Sequence, residues 1–176
     1  QPAAQYRLAK LYESGEGVEA DPAIARQFTE RAARAGNRIA MHDLALYYAE
    51  GRGDVELDIA TAASWFEKAA ERGVVDSQFN LGVLFESGQG LPKNLTDAYV
   101  WYSVAATQGD QFARQRLDVL EGQMESVDIK AAKARVKKFK PAKIDEEANG
   151  IFKNVAWSNP ADGNVGPAGS QVREAQ

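Results

Sequence analysis

The chain of 176 residues contains no cysteine, and that absence removes several functions at once. No disulfide framework, cysteine-ligated zinc site or thiol nucleophile is available to it. Histidine is nearly as scarce. His42 is the only one, so a Ser-His-Asp arrangement would have to be built on it. A metal site would need more His and carboxylate ligands than converge there. No apolar run approaches the ~18 residues of a membrane span, and no secretory signal is visible. The chain starts at Gln1, without Met and inside a repeating unit, and is therefore expected to be an excerpt of a longer protein. What remains is an ordinary globular composition, 44% hydrophobic and 26% charged, in a chain long enough for one domain with a sizeable core.

The net charge of −4 is unevenly distributed. Residues 1–129 carry 12 basic and 20 acidic side chains, whereas residues 130–143 carry seven basic and none acidic. An acidic body argues against nucleic acid as the main partner. The basic run reads as the solvated lysine face of a helix, or as a contact for an acidic partner.

Against this background one pattern dominates. Leu8, Leu44, Leu81 and Leu117 fall 36, 37 and 36 residues apart. Tyr12, Tyr48 and Phe85 keep the same offsets, as do Gly15, Gly51, Gly88 and Gly17, Gly53, Gly90. Further along each unit come Phe28, Trp65 and Trp101, then the pairs Ala32-Ala33, Ala69-Ala70 and Ala105-Ala106, then Gly36, Gly73 and Gly109. A repeat of this length is the signature of a stacked helix-pair architecture.

Leu81, Leu84 and Phe85 form an apolar stripe at i, i+3, i+4 on a first helix. Gly82, like Ala9 and Ala45, lets a neighbouring helix approach. The Gly-x-Gly loop ends that helix, and Asp21, Asp58 and Asn94 are expected to cap the second. Its expected inner face holds Ala98, Trp101, Ala105 and Ala106, and the closing glycines read as C-caps. Such pairs cannot bury their stripes alone, so the expected fold is an all-α, right-handed α-solenoid.

The expected repeats are 3–38, 39–75 and 76–111, followed by a partial first helix at 112–121. A capping helix over 126–139 follows, with Ser126 as its N-cap and Pro141 ending it. Residues 141–176 read as an irregular tail. Its Ile151, Phe152, Val155 and Trp157 could dock on the cap or the groove.

Chemistry-bearing motifs are few. His42 aligns with Tyr6 and Phe79, which marks a packed or half-exposed aromatic position. Each Gly-x-Gly lacks the third glycine and preceding strand of a dinucleotide site. Asp54, Glu56 and Asp58 alternate like calcium ligands, without the glycine and glutamate such a loop needs. Arg52-Gly53-Asp54 follows from the repeat, and Asn94 in Asn94-Leu95-Thr96 serves as a helix cap. No catalytic, metal or cofactor site is expected.

The pattern A-x-x-x-L-[GA]-x-[LY]-[YF]-x-x-G-x-G, followed by [DN]-x-x-x-A-x-x-[WF]-x-x-x-A-A-x-x-G, resembles the Sel1-like repeat, a cousin of the tetratricopeptide repeat, over about residues 3–121. That resemblance implies adaptor and scaffold proteins without catalysis. The strings AMHDLALYYAEG and WFEKAAERGVVDSQFNLGVLFESGQGLPKNLTDAYVWYSVAATQGD are further similar to the PodJ family of alphaproteobacterial polar localization factors. This implies a periplasmic repeat block in an inner-membrane-anchored protein of cell polarity. Asp43 stands where that family usually has Asn.

In related solenoids the first helices line the concave face. The candidate partner-binding positions there are Arg7, Asp43, Asn80 and Arg116, with Lys10, Leu46, Val83 and Val119 one turn on. The expected ligand is an extended protein segment or a partner helix in the envelope. The alternatives are peptidoglycan, with Trp157 the suspect residue, and a repressor role toward a membrane signalling sensor.

Overall fold

The computed structural model describes residues 1–150, and among these every regular element is a helix. In chain order they are α1 (Pro2–Ser14), α2 (Pro22–Arg34), α3 (Arg38–Glu50), α4 (Ile59–Glu71), α5 (Val75–Ser87), α6 (Leu95–Thr107), α7 (Gln111–Glu121) and α8 (Ser126–Lys138). The first six each span 13 residues. Each packs on the next, so the chain is an all-α solenoid of helix pairs in which every second helix also supports the following first helix.

The ends of the helices follow from short polar side chains. Asp21 accepts from the amides of Ala23 and Ile24, Asp58 from Thr61, and Asn94 from Asp97, as expected of all three. At the other ends, Ala35, Arg72 and Gln108 are the C-caps, and the closing glycines sit one residue beyond. There Gly36, Gly73 and Gly109 adopt φ of 95°, 79° and 101°. That is the left-handed turn that lets the amide of Gly36 return to the Ala33 carbonyl and that of Asn37 to Ala32.

The core is alanine-rich with a few large residues. Leu44, Leu81 and Leu120 are fully buried, as are Ala32, Ala69 and Ala105. The aromatic column lies one residue away from its expected place. Phe28, Trp65 and Trp101 are half-buried, whereas the next position, Thr29, Phe66 and Tyr102, is buried in every copy. Trp101 instead meets the edge of the Phe139 ring at 5.6 Å, and Phe28 stacks on Tyr12 at 5.9 Å. Gly82 has its expected role: a Cβ there would lie 2.7 Å from the Tyr102 ring.

The fourth unit is degenerate. α8 packs against α6, with Ala132 buried and Ile129 and Val136 beside it. Arg135 pairs with Asp97 at 2.6 Å, and Lys133 with Glu121 at 3.0 Å. Two boundaries are corrected. Glu125, not Ser126, is the N-cap of α8, without a side-chain bond, and the helix stops at Lys138 with Phe139 as cap. Pro141 therefore follows the end rather than making it.

Residues 141–150 do not remain by the capping helix. The amide of Ala142 donates to the Glu71 carbonyl at 2.7 Å, and Ala148 is buried beside Gly36. The tail thus crosses from the last helix back to the junction of the first two repeats. Ile151, Phe152, Val155 and Trp157 lie outside the described residues.

Candidate functional site

Successive first helices, α1 with α3, α3 with α5 and α5 with α7, are linked by polar side chains at different positions of the repeat. The Tyr6 hydroxyl donates to Asp43 at 2.8 Å. The His42 Nδ1 lies 2.8 Å from the Ser77 hydroxyl, and Arg116 pairs with Glu86. Of the expected binding positions, Asp43 and Arg116 take part in these contacts.

The two rows differ in character. In the upper row Arg7 is exposed, while Asp43, Asn80 and Arg116 are half-buried. Asp43 also receives Lys10 Nζ at 3.4 Å. Burial first, and the Asp43 carboxylate second, push the Tyr6 hydroxyl well above its ordinary value, so it stays protonated and holds Asp43 as a donor. In the lower row the chemistry changes along the stack from Lys10 to Leu46, Val83 and Val119. The two valines are 38% and 43% exposed, a short apolar strip at the C-terminal end.

Lys10 is charged in spite of its surroundings. Burial lowers its pKa, but hydrogen bonds to Glu13 and Asp43 outweigh that and raise it overall. At the other end, Glu86 accepts from Tyr102 at 2.8 Å and from Arg116, joining three helices. The Tyr102 hydroxyl is also held well above its ordinary value, by burial and then by Glu86. Asp43 and Arg116 are therefore partly committed to the frame, while Val83 and Val119 present bare surface.

Sequence reasoning overlooked Glu86, Gln78 and Arg26. Gln78 is fully buried, donating to the Ala70 carbonyl at 3.0 Å and accepting from Gln108 at 2.6 Å. Arg26 reaches Asp54 with both Nε and Nη2 and Glu30 with Nη1, tying the second helix of one repeat to the loop of the next. Hydrogen bonding to Arg26 holds the Asp54 carboxyl below its ordinary value. Both polar members of the Arg52-Gly53-Asp54 tripeptide are engaged, since Arg52 lies over the Tyr47 ring at 4.7 Å. The signal in the sequence is an arginine at the position held by Ala63 and Tyr99 in the other repeats.

His42 sits 5.6 Å from the Phe66 ring, and burial lowers its pKa from 6.5 against the opposing pull of Asp43 and Asp76. The folded chain thus prefers neutral imidazole, while the unfolded chain binds a proton below about pH 6.5. Stability due to this group is full above that pH and is lost as pH falls toward the lower folded pKa. Thermal melts at about pH 7.5 and about pH 5 are expected to show a larger loss for the native chain than for His42→Phe. Equal losses would contradict this.

Among the described residues no three His, Asp or Glu side chains are placed to hold a metal ion. Nor is any helix there long and apolar enough to cross a membrane.

A solenoid of stacked helix pairs defines a class of all-α repeat protein. The chain belongs to the Sel1 repeat family, whose model matches residues 2–37, 38–74 and 75–110. The repeats of this family bind protein partners, and its members are typically non-catalytic scaffolds or regulators. The chain is 33% identical over 128 residues to the chitin synthase regulator SKT5 of Saccharomyces cerevisiae, covering 72% of this chain and 18% of that protein. It thus spans less than a fifth of that relative's length. A Sel1 repeat protein from Oxalobacter formigenes superposes with a TM-score of 0.64 at 36% identity, over 67% of this chain and 88% of the other. The fold alone is shared with c5321, a protective antigen of uropathogenic Escherichia coli (TM-score 0.65, 22% identity, 90% of this chain and 42% of the other).

Proposed function

We propose that this chain is a non-enzymatic interaction scaffold that takes an extended protein segment or a partner helix along its first helices. The observation that carries this reading is the strip Lys10, Leu46, Val83 and Val119. The frame repeats from copy to copy, but this strip passes from a charged Lys10 to aliphatic residues and leaves two valines exposed. A peptide laid across it would meet a charged end and an apolar end, which fixes its direction. The upper row, Arg7, Asp43, Asn80 and Arg116, would supply polar contacts beside it.

The finer setting we propose is the periplasmic module of an inner-membrane-anchored polarity factor, supported by the strings from Ala40 and Trp65 onward. Similarity to a chitin synthase regulator supports a second role, control of an enzyme by binding it. Neither setting alters the binding surface. Peptidoglycan receives no support, and the residue that suggested it, Trp157, lies outside the described residues.

The test exchanges exposed residues so that the frame survives. Val83→Asp together with Val119→Asp is expected to keep the helical circular dichroism and to weaken a recovered partner at least about tenfold, roughly 1.4 kcal/mol. A pull-down that retains every partner with undiminished affinity refutes the strip as the site.

A further inference from the structure

The place where the tail ends is more specific than a surface contact. Asn37 lies between the first two repeats and is 4% exposed. Its Oδ1 caps α3 by accepting from the Ala40 amide at 2.9 Å, and its Nδ2 donates to the Ala148 carbonyl at 2.8 Å. Asn149 answers from the other side. Its Oδ1 accepts from the Arg38 amide at 2.9 Å, and its Nδ2 donates to the Gly36 carbonyl at 3.2 Å. A helix end leaves its first amides and last carbonyls without helical partners. One asparagine on the tail thus satisfies a carbonyl just past the end of α2 and an amide at the start of α3.

The tail is shaped for this contact. Asp145 accepts from the Ala148 amide at 2.9 Å, and its carbonyl accepts from the Asn149 side chain at 2.7 Å, so residues 145–149 form a closed turn. Ala148 is buried, with its Cβ against Gly36. The equivalent junctions of the later repeats carry Val74 and Asp110 where the first has Asn37. Neither side chain can donate a hydrogen bond to a carbonyl. The register of the tail is therefore set by chemistry, and only the first junction offers it.

We propose that the Gly36–Asn37–Arg38 junction is a recognition site for a turn of the form Asp-x-x-Ala-Asn, held in cis by residues 145–149. A partner protein presenting the same turn reaches the site by displacing the tail. The site is distinct from the strip on the first helices, but the two adjoin. Asn149 and Gly150 line a cavity of about 450 Å³ with Tyr6, Arg7 and Asn37, at the N-terminal end of the upper row. Displacing the tail would open that end.

The Arg38 amide reports occupancy, because a first-turn amide is otherwise unprotected. In full-length chains followed by NMR, Asn149→Ala is expected to speed exchange of this amide at least about tenfold. A free peptide of residues 143–150, added at millimolar levels to match the tethered concentration, should then shift the Arg38 resonance saturably and restore protection. The same peptide with its asparagine replaced by alanine should have no effect. Asn37→Asp keeps the cap acceptor but loses the donor, and should abolish the response with helical content unchanged. The proposal falls if Arg38 exchanges alike in the native chain and Asn149→Ala. It also falls if the peptide leaves folded Asn149→Ala unaffected, acts equally on the native chain, or acts equally on Asn37→Asp. Val83→Asp with Val119→Asp should leave the Arg38 response intact, which separates this site from the strip.

Discussion

Gly90→Ala is expected to destabilise the chain by about 2–5 kcal/mol, Gly53→Ala by less, and Gly17→Ala by only about 1–2 kcal/mol. All three occupy the same position of the Gly-x-Gly loop, with φ of 69°, 75° and 75°. A backbone cost of about 1–2 kcal/mol for placing a Cβ in the left-handed region is therefore common to them. What differs is the neighbour. A Cβ on Gly90 would lie 2.7 Å from the backbone of Ile59, at the start of the preceding repeat's second helix. On Gly53 it would lie 3.1 Å from the Pro22 carbonyl, and on Gly17 nothing is within 4 Å. No second helix of another repeat in the described chain lies against Gly17. The extra cost at Gly90 is therefore an inter-repeat cost, and urea unfolding should broaden as well as shift when repeat 3 loosens from repeat 2. Equal losses at the three positions would show that backbone conformation alone accounts for them.

The second large effect is expected at Gly82. Alanine is the better helix former by about 1 kcal/mol, and Ala9 and Ala45 hold this position in the other repeats. Gly82→Ala should nevertheless lower stability, by a net of up to ~2 kcal/mol, because overpacking a core costs about 1–3 kcal/mol. The added carbon would sit 2.7 Å from two ring carbons of Tyr102, which is fully buried and anchored to Glu86. The ring cannot swing away without giving up that bond. Ala45 is accommodated beside Phe66, with which it shares a buried cluster. A double-mutant cycle with Tyr102→Leu should show coupling above about 0.5 kcal/mol. Additive losses would remove the ring contact as the cause.

Much of this frame was legible in the sequence because its causes are local. Asp21, Asp58 and Asn94 cap helices through amides two or three residues away, so their positions can be read without knowing the fold. The loop glycines are legible for the same reason. The aromatic column was misplaced by one residue because Trp101 and Tyr102 are both aromatic. Which of the two turns inward depends on Gly82 opposite Tyr102 and on Phe139, 38 residues along the chain from Trp101. The candidate rows were chosen by alignment, which says nothing of the partners their side chains find in the fold. Asp43 and Arg116 resemble free charged positions in the sequence, and become partly structural once Tyr6 and Glu86 stand beside them.

The helix-pair repeat, its caps and its stacking are thus set within each stretch of about 36 residues, where spacing and side-chain type act over one or two turns. The Arg26–Asp54 clamp, the Glu86–Arg116 pair and the bond from Asn37 to Ala148 arose from contacts spanning 28, 30 and 111 residues. Such pairings depend on the curvature of the stack and on which helix end a returning tail can reach. Hydrophobic periodicity carries no record of either.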